Sequence, residues 1–201
     1  PMRTAGQGPR GFKRRDGEMR PGQDLIMAGY AGLDGACGIA RARREELERR
    51  FCSAFLKQLA GSPGPSPVIW AGEHLGADIT AYEVLGEGGV LAALWNLSGV
   101  FNAGIEFDLR RIPIRQATVE ICELYGLNPY RLRSGGGFMA AADNGGRAVR
   151  ALEAAGIPAA VIGSVIPGTA RRMSHGGESA GFLERPQPDE YDKICGDERQ
   201  T

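Results

Sequence analysis

Two glycine-led segments carry the side chains best suited to chemistry. The first runs Asp78-Ile-Thr-Ala-Tyr-Glu-Val-Leu-Gly-Glu-Gly-Gly89 and opens directly into an apolar, helix-patterned stretch. A helix N-terminus presents unpaired N–H groups and the positive end of the helix dipole. Glycines let an anion approach that backbone, so Gly86, Glu87, Gly88 and Gly89 form a candidate phosphate loop. The same pattern also describes an ordinary turn ahead of a helix. It is neither a P-loop nor a dinucleotide fingerprint, because no Lys-Ser/Thr follows and the glycines do not fit G-x-G-x-x-G. Asp78, Glu83 and Glu87 offer the oxygen ligands that Mg²⁺ prefers, or they simply cap and solvate the turn. The second segment is Arg131-Leu-Arg-Ser-Gly-Gly-Gly137. Two arginines beside a glycine-rich turn suit a phosphate or carboxylate, with Ser134, Gly135 and Gly136 as candidate contacts. The plainer alternative is a glycine turn that starts a crowded strand.

The remaining reactive residues form no constellation in sequence. Cys37, Cys52, Cys122 and Cys195 include no CxxC pair, and neither His74 nor His175 stands near them at zinc-ligand spacing, so no metal centre is expected. Cys52 and Cys122 fall in helical patterns and read as small buried hydrophobes. With no secretory signal in view, reduced thiols and a cytoplasmic setting are expected. His74 and His175 read as surface or cap histidines, and Trp70 and Trp95 as core. No Ser/His/Asp or Cys/His arrangement is evident.

Positioning these segments requires a mixed set of elements. Asp24–Tyr30 reads as a strand after the Pro21-Gly22 turn, and Gly35–Ala42 as a close-packed helix turn or buried strand. Leu47, Phe51, Phe55 and Leu59 recur every four residues, which predicts one helix over 43–59. The run Gly61-Ser-Pro-Gly-Pro-Ser-Pro67 is a loop, followed by a short strand at Val68–Trp70 or a short helix to Leu75. Helices are expected over Gly88–Ser98, Ile114–Tyr125 and Gly145–Ala155, and strands over Gly104–Leu109, Gly135–Ala142, Ala159–Ile162 and Gly181–Leu183. Residues 1–22 and 186–201 are expected to be tails around one domain at 23–185. The predicted class is α+β, a mixed sheet with helices packed on one face.

Composition narrows the function classes. The chain has 201 residues, 42% of them hydrophobic and 24% charged, which excludes wholesale disorder. Lys+Arg and Asp+Glu are both 24, so the net charge is zero and a nucleic-acid partner is not expected. No apolar run is long enough to cross a membrane as a helix. Glycine is the outlier, at 31 residues, roughly twice the usual ~7%.

The stretch from Pro21 to Tyr191 resembles the C-terminal domain of the aminoimidazole ribonucleotide (AIR) synthase-related proteins, and within them the hydrogenase maturation branch. The resemblance rests on PGQDLIMAGYAGLDGACGIARARREELERRF, ITAYEVLGEGGVLAALWNLS, GIEFDLRRIPIRQATVEICELYGLNPYRLRSGGGFMAAA, LEAAGIPAAVIGSV and FLERPQPDEYDKI, in that order and spacing. It implies an α+β fold that closes over a nucleotide cleft. It also implies ATP and Mg²⁺ as cofactors, bound mostly by an N-terminal domain that these residues do not include. That domain also builds the family's dimer, so the expected partner is a second copy or a separate ATP-domain protein.

Two features depart from the family pattern. Where the family often has His-Asp-Val-Thr-Glu-Gly-Gly, this chain has Tyr82-Glu-Val-Leu-Gly-Glu-Gly-Gly89. Hydrogenase maturation enzymes end in Pro-Arg-Ile-Cys, whose thiol carries the carbamoyl group to be dehydrated. Here Asp192-Lys-Ile-Cys195 comes close but six residues follow it. Cys195 is therefore either a carrier thiol on a mobile tail or an incidental cysteine. The resemblance implies that Glu83, Gly86–Gly89 and Ser134–Gly136 help to close over ATP phosphates. The competing expectation is a non-catalytic module that dimerises or docks on a separate ATP-binding domain.

Overall fold

A computed structural model of the chain describes residues 18–59, 66–75 and 78–196. The strands are β1 (Asp24–Ala28), β2 (Ile79–Val84), β3 (Gly104–Asp108), β4 (Phe138–Ala142), β5 (Ala159–Ile166), β6 (Arg171–His175) and β7 (Glu178–Phe182). The helices are α1 (Leu33–Ala42), α2 (Arg44–Glu48), α3 (Ser53–Leu59), α4 (Pro67–His74), α5 (Gly89–Phe101), α6 (Gln116–Tyr125), α7 (Gly145–Ala154) and α8 (Asp192–Cys195). The strands form one seven-stranded sheet in the order β2-β4-β1-β5-β3-β6-β7. All neighbours are antiparallel except β3 and β6, so the sheet is mixed as expected.

Alternation along the strands divides the core between the two faces. Leu25 and Met27 of β1 join Met139 and Ala141 of β4 and Val90, Leu94 and Leu97 of α5 in one cluster. Ile26 and Ala28 point the other way, into a cluster with Phe138, Val68 and Ala71 of α4 and Ala148 and Leu152 of α7. The α+β class holds, but the helices cover both faces rather than one. The sequence β4, Phe-Met-Ala-Ala-Ala, is buried at every position. A strand enclosed on both sides has no solvent face to encode, and its period-2 signal disappears. A third cluster lies beyond the sheet, where Ala36 and Ile39 of α1 meet Leu47, Leu59, Ile121 and Cys195.

That helical cluster explains a difference from the predicted 43–59 helix. The chain forms α2 and α3 with a break around Phe51 and Cys52. Leu47 and Leu59 are both buried against α1 and α6, and the break folds two short segments around them where one straight rod would run past. Phe51 and Phe55 still stack, with ring centroids 4.3 Å apart. Residues 68–75 take the helical alternative, with Pro67 in the first turn of α4 where its missing N–H costs nothing. Strand β6 has no counterpart in the sequence reading; its residues, Arg-Arg-Met-Ser-His, are too polar to announce a strand.

Both ends of the described chain are anchored. Met19 is buried, Arg20 pairs with Asp143 at 3.1 Å, and the Gly22 N–H donates to the Val165 carbonyl. Residues 1–17 and 197–201 lie outside the described residues. The stretch from Pro186, expected as a tail, crosses the molecule and ends in α8, with Asp189, Glu190 and Cys195 buried.

Candidate functional site

The two glycine segments are brought together by sheet order. Strands β2 and β4 are antiparallel neighbours, with Val84 opposite Phe138. The chain leaving β2 and the chain entering β4 therefore emerge side by side. The ladder continues past the strands: the Leu85 N–H donates to the Gly137 carbonyl at 3.0 Å, and the Ser134 N–H to the Gly86 carbonyl at 3.2 Å. Within the first turn of α5, the Leu91 N–H donates to the Tyr130 carbonyl at 3.2 Å.

Contact between the segments depends on glycine at position 89. Gly89 has φ +65, and a Cβ there would lie 2.6 Å from the carbonyl oxygens of both Tyr130 and Leu132. Both features exclude an ordinary side chain. Gly88, with φ 71, serves as the N-cap of α5 and has no side chain with which to cap.

The capping group comes from the far end of the chain. The Asp189 carboxylate accepts from the Gly88 N–H at 2.8 Å, the Arg133 N–H at 3.2 Å and the Tyr191 N–H at 2.8 Å. Asp189 is 6% exposed. A carboxylate at a helix N-terminus, bonded to backbone donors, is a favourable use of the dipole. Arg133 completes the arrangement: its guanidinium lies 4.3 Å above the Tyr191 ring, 4.0 Å from Asp189 and 3.4 Å from Glu87. Its Nε is buried and makes no hydrogen bond among the described residues. Arg131 pairs with Glu184 at 2.8 Å. Between α5, the β6–β7 hairpin and this C-terminal strap lies a cavity of about 200 Å³, bordered by Gly88, Arg131, Phe182 and Leu183.

The expected site residues divide clearly. Gly86, Glu87, Gly88 and Gly89 stand beside Ser134, Gly135 and Gly136. Glu87, Gly135 and Gly136 are exposed, whereas the Ser134 hydroxyl is turned inward, accepting from the Gly32 N–H and donating to the Leu132 carbonyl. Glu83 points away along β2 toward Asn96, at 3.5 Å. Asp78 is paired with Arg147. Asp78, Glu83 and Glu87 therefore do not converge, and no group of three or more His, Cys, Asp or Glu among the described residues could hold a metal ion. The anion at the head of α5 is the chain's own Asp189, and the described residues assemble no carboxylate cage that would hold Mg²⁺.

Cys195 is 8% exposed and packs with Cys122, Tyr191 and Ile194. A thiol enclosed in that cluster is not presented to a partner as the mobile-tail expectation requires. Burial pushes the neighbouring Cys122 thiol up to about 12 and raises that of Cys37. His74 is exposed, stacked on Trp70 and bonded to the Trp70 carbonyl, a cap role as expected. Asp189 and Tyr191 were the residues the sequence reading missed. The only signal was their place in the FLERPQPDEYDKI segment of the family resemblance.

Comparison with known proteins assigns the class. The sequence profile of the AIR synthase related protein, C-terminal domain, matches residues 20–175, and the chain belongs to that family. A curated relative, the carbamoyl dehydratase HypE of Rhizobium leguminosarum bv. viciae, is 31% identical over 170 residues, covering 81% of this chain and 47% of that protein. The fold is similar to a chain of the HypE–HypF complex, with TM-score 0.68, 21% identity, and 84% of this chain matched to 54% of that one. It is also similar to a HypE crystallised with ATP, with TM-score 0.63, 19% identity, and coverage of 91% and 55%. The chain spans about half the length of these relatives. No helix among the described residues is long and apolar enough to cross a membrane.

Proposed function

We propose that this chain is the C-terminal half of an ATP-dependent enzyme of the hydrogenase maturation type, contributing one wall of a nucleotide cleft. The observation that carries this reading is the pinning of Gly86–Gly89 against Ser134–Gly136 at the head of α5, with Arg131 and Arg133 alongside. Arg133 stands 3.4 Å from Glu87 and Arg131 borders the same cavity as Gly88, so two cationic side chains flank the loop. The HypE relative supports the reaction class, and the HypE structure solved with ATP supports the cofactor. Mg²⁺ and most ATP contacts would come from a second domain or chain, because the carboxylates here do not converge. The reading is tested by calorimetric titration of ATP and Mg²⁺ into the chain alone and into the chain mixed with the N-terminal half of a HypE relative. Binding that appears or strengthens at least tenfold in the mixture supports it; a folded, assembled mixture that binds no ATP refutes it.

One observation favours a second reading, a non-catalytic module that docks on a separate ATP-binding protein or on its own copy. The head of α5 is already filled by Asp189. A mixture that assembles stoichiometrically but gains no nucleotide binding would select this alternative.

A further inference from the structure

Half of the sheet carries no helix on the face opposite α5. Ile105 and Phe107 of β3 point into the α5 cluster, so Glu106 between them points the other way. On that other face, α4 and α7 cover β2, β4, β1 and the start of β5. Beyond them a cleft of about 600 Å³ lies over β5, β3 and β6, within the range of small-molecule sites, roughly 300–1,000 Å³. We infer that this cleft is a second binding site, independent of the nucleotide reading. It takes the head group of a small polar α-amino acid, with the carboxylate on Arg172 and Arg111 and the ammonium on Glu106.

Strand register sets four polar side chains in one row across the floor. Asp24 of β1 stands opposite Ser164 of β5, Ser164 opposite Glu106 of β3, and Glu106 opposite Arg172 of β6. All four border the cleft. Cross-strand neighbours of opposite charge ordinarily pair, yet Glu106 and Arg172 do not. Glu106 accepts instead from the Ser164 hydroxyl at 3.4 Å, on the side away from β6. Neither Arg172 nor Arg111 forms an ion pair or a side-chain hydrogen bond among the described residues. The other carboxylates of the cleft are committed to backbone. Asp24 accepts from the Gly145 N–H at 2.8 Å, and Asp108 from the N–H groups of Arg110, Gly176 and Gly177, each at 2.9 Å. Glu106, Arg111 and Arg172 are exposed and remain for a ligand. The charge balance selects among ligands. A phosphate would add negative charge to a cleft that already holds the carboxylates of Asp24, Glu106 and Asp108, and a bare cation would meet the guanidinium groups of Arg111 and Arg172. A zwitterion satisfies both signs. Its carboxylate and ammonium sit on one carbon, which suits side chains on adjacent strands ~4.8 Å apart, and arginine holds a carboxylate through paired N–H donors. The hydroxyls of Ser164, Ser174 and Ser179 along the cleft favour a polar ligand side chain.

The test titrates L-serine into the full 201-residue chain and follows the backbone amides by heteronuclear NMR. Three controls dissect the head group: N-acetyl-L-serine keeps only the carboxylate, ethanolamine keeps only the ammonium, and inorganic phosphate is a simple anion. L-serine is expected to give saturable shifts at Glu106, Ser164 and Arg172, and each control to bind at least tenfold more weakly. Glu106→Gln and Arg172→Gln are each expected to weaken L-serine at least tenfold, and Arg172→Lys, which keeps the charge, to weaken it less than Arg172→Gln. Both positions are exposed, so the variants should fold, and circular dichroism checks that they do. Phosphate or N-acetyl-L-serine binding as tightly as L-serine would make the cleft an anion site and overturn the assignment; ethanolamine binding as tightly would make it a cation site, with the same consequence. The absence of saturable shifts over the cleft with L-serine overturns it too. None of these outcomes touches the nucleotide reading, which concerns the head of α5 and is tested with ATP.

Discussion

Replacing Gly89 by alanine tests the claim that the glycine loop and the arginine turn meet by close backbone approach. Two costs add at this position. An L-residue at φ +65 costs about 1–2 kcal/mol. A Cβ 2.6 Å from two carbonyl oxygens, Tyr130 and Leu132, forces the segments apart, an overpacking cost of about 1–3 kcal/mol. The sum is about 2–5 kcal/mol, a large share of the ~5–15 kcal/mol that stabilises a typical domain. Two controls separate the terms. Gly126 has φ +64 with nothing within 4 Å of an added Cβ, so Gly126→Ala carries the backbone cost alone. Gly86 has open space around it and no positive φ, so Gly86→Ala should fall within about 0.5 kcal/mol of wild type. The assay is urea unfolding followed by far-ultraviolet circular dichroism. With a slope near 2 kcal/mol per molar, Gly89→Ala should lower the midpoint by about 1–2.5 M at unchanged slope, Gly126→Ala by less than half as much, and Gly86→Ala hardly at all. If Gly89→Ala and Gly126→Ala are equally destabilised, the close approach at the site is wrong.

Two further outcomes follow from burial and hydrogen bonding. Among the described cysteines, the exposed Cys52 should react with maleimide at pH 8 within minutes. Cys122, buried and with its thiol pushed up to about 12, and the buried Cys195 should react only on unfolding; mass spectrometry of partly labelled protein reads the order, and early labelling of Cys122 would contradict the packing. The Asp108 carboxylate, bonded first to the Gly176 N–H and also to those of Arg110 and Gly177, is held below its ordinary value. The unfolded chain then binds the proton more readily, so this contribution is fully present above about pH 4 and fades as pH falls through the lowered native value. Carbon NMR titration of Asp108 should show the low midpoint, together with faster exchange of the Gly176 and Gly177 amides in acid; an ordinary midpoint would remove the turn-holding role.

The sequence by itself determined the parts in which local preference and tertiary need agree. The helices expected over 88–98, 114–125 and 145–155 form as α5, α6 and α7 because propensity and burial select the same residues there. The glycine segments were legible as candidates because glycine admits positive φ and close backbone approach, although the same pattern also fits an ordinary turn. Tertiary structure decided the rest. Strand β6 forms from polar residues because it pairs parallel to β3, and the 43–59 helix breaks because its leucines must reach α1 and α6 together. Above all, the identity of the anion at the head of α5 was not local information. Asp189 lies 101 positions from Gly88 in the chain, and no periodicity or spacing links them. Only the path of the strap across the helical cluster brings that carboxylate to the N–H groups that needed a partner.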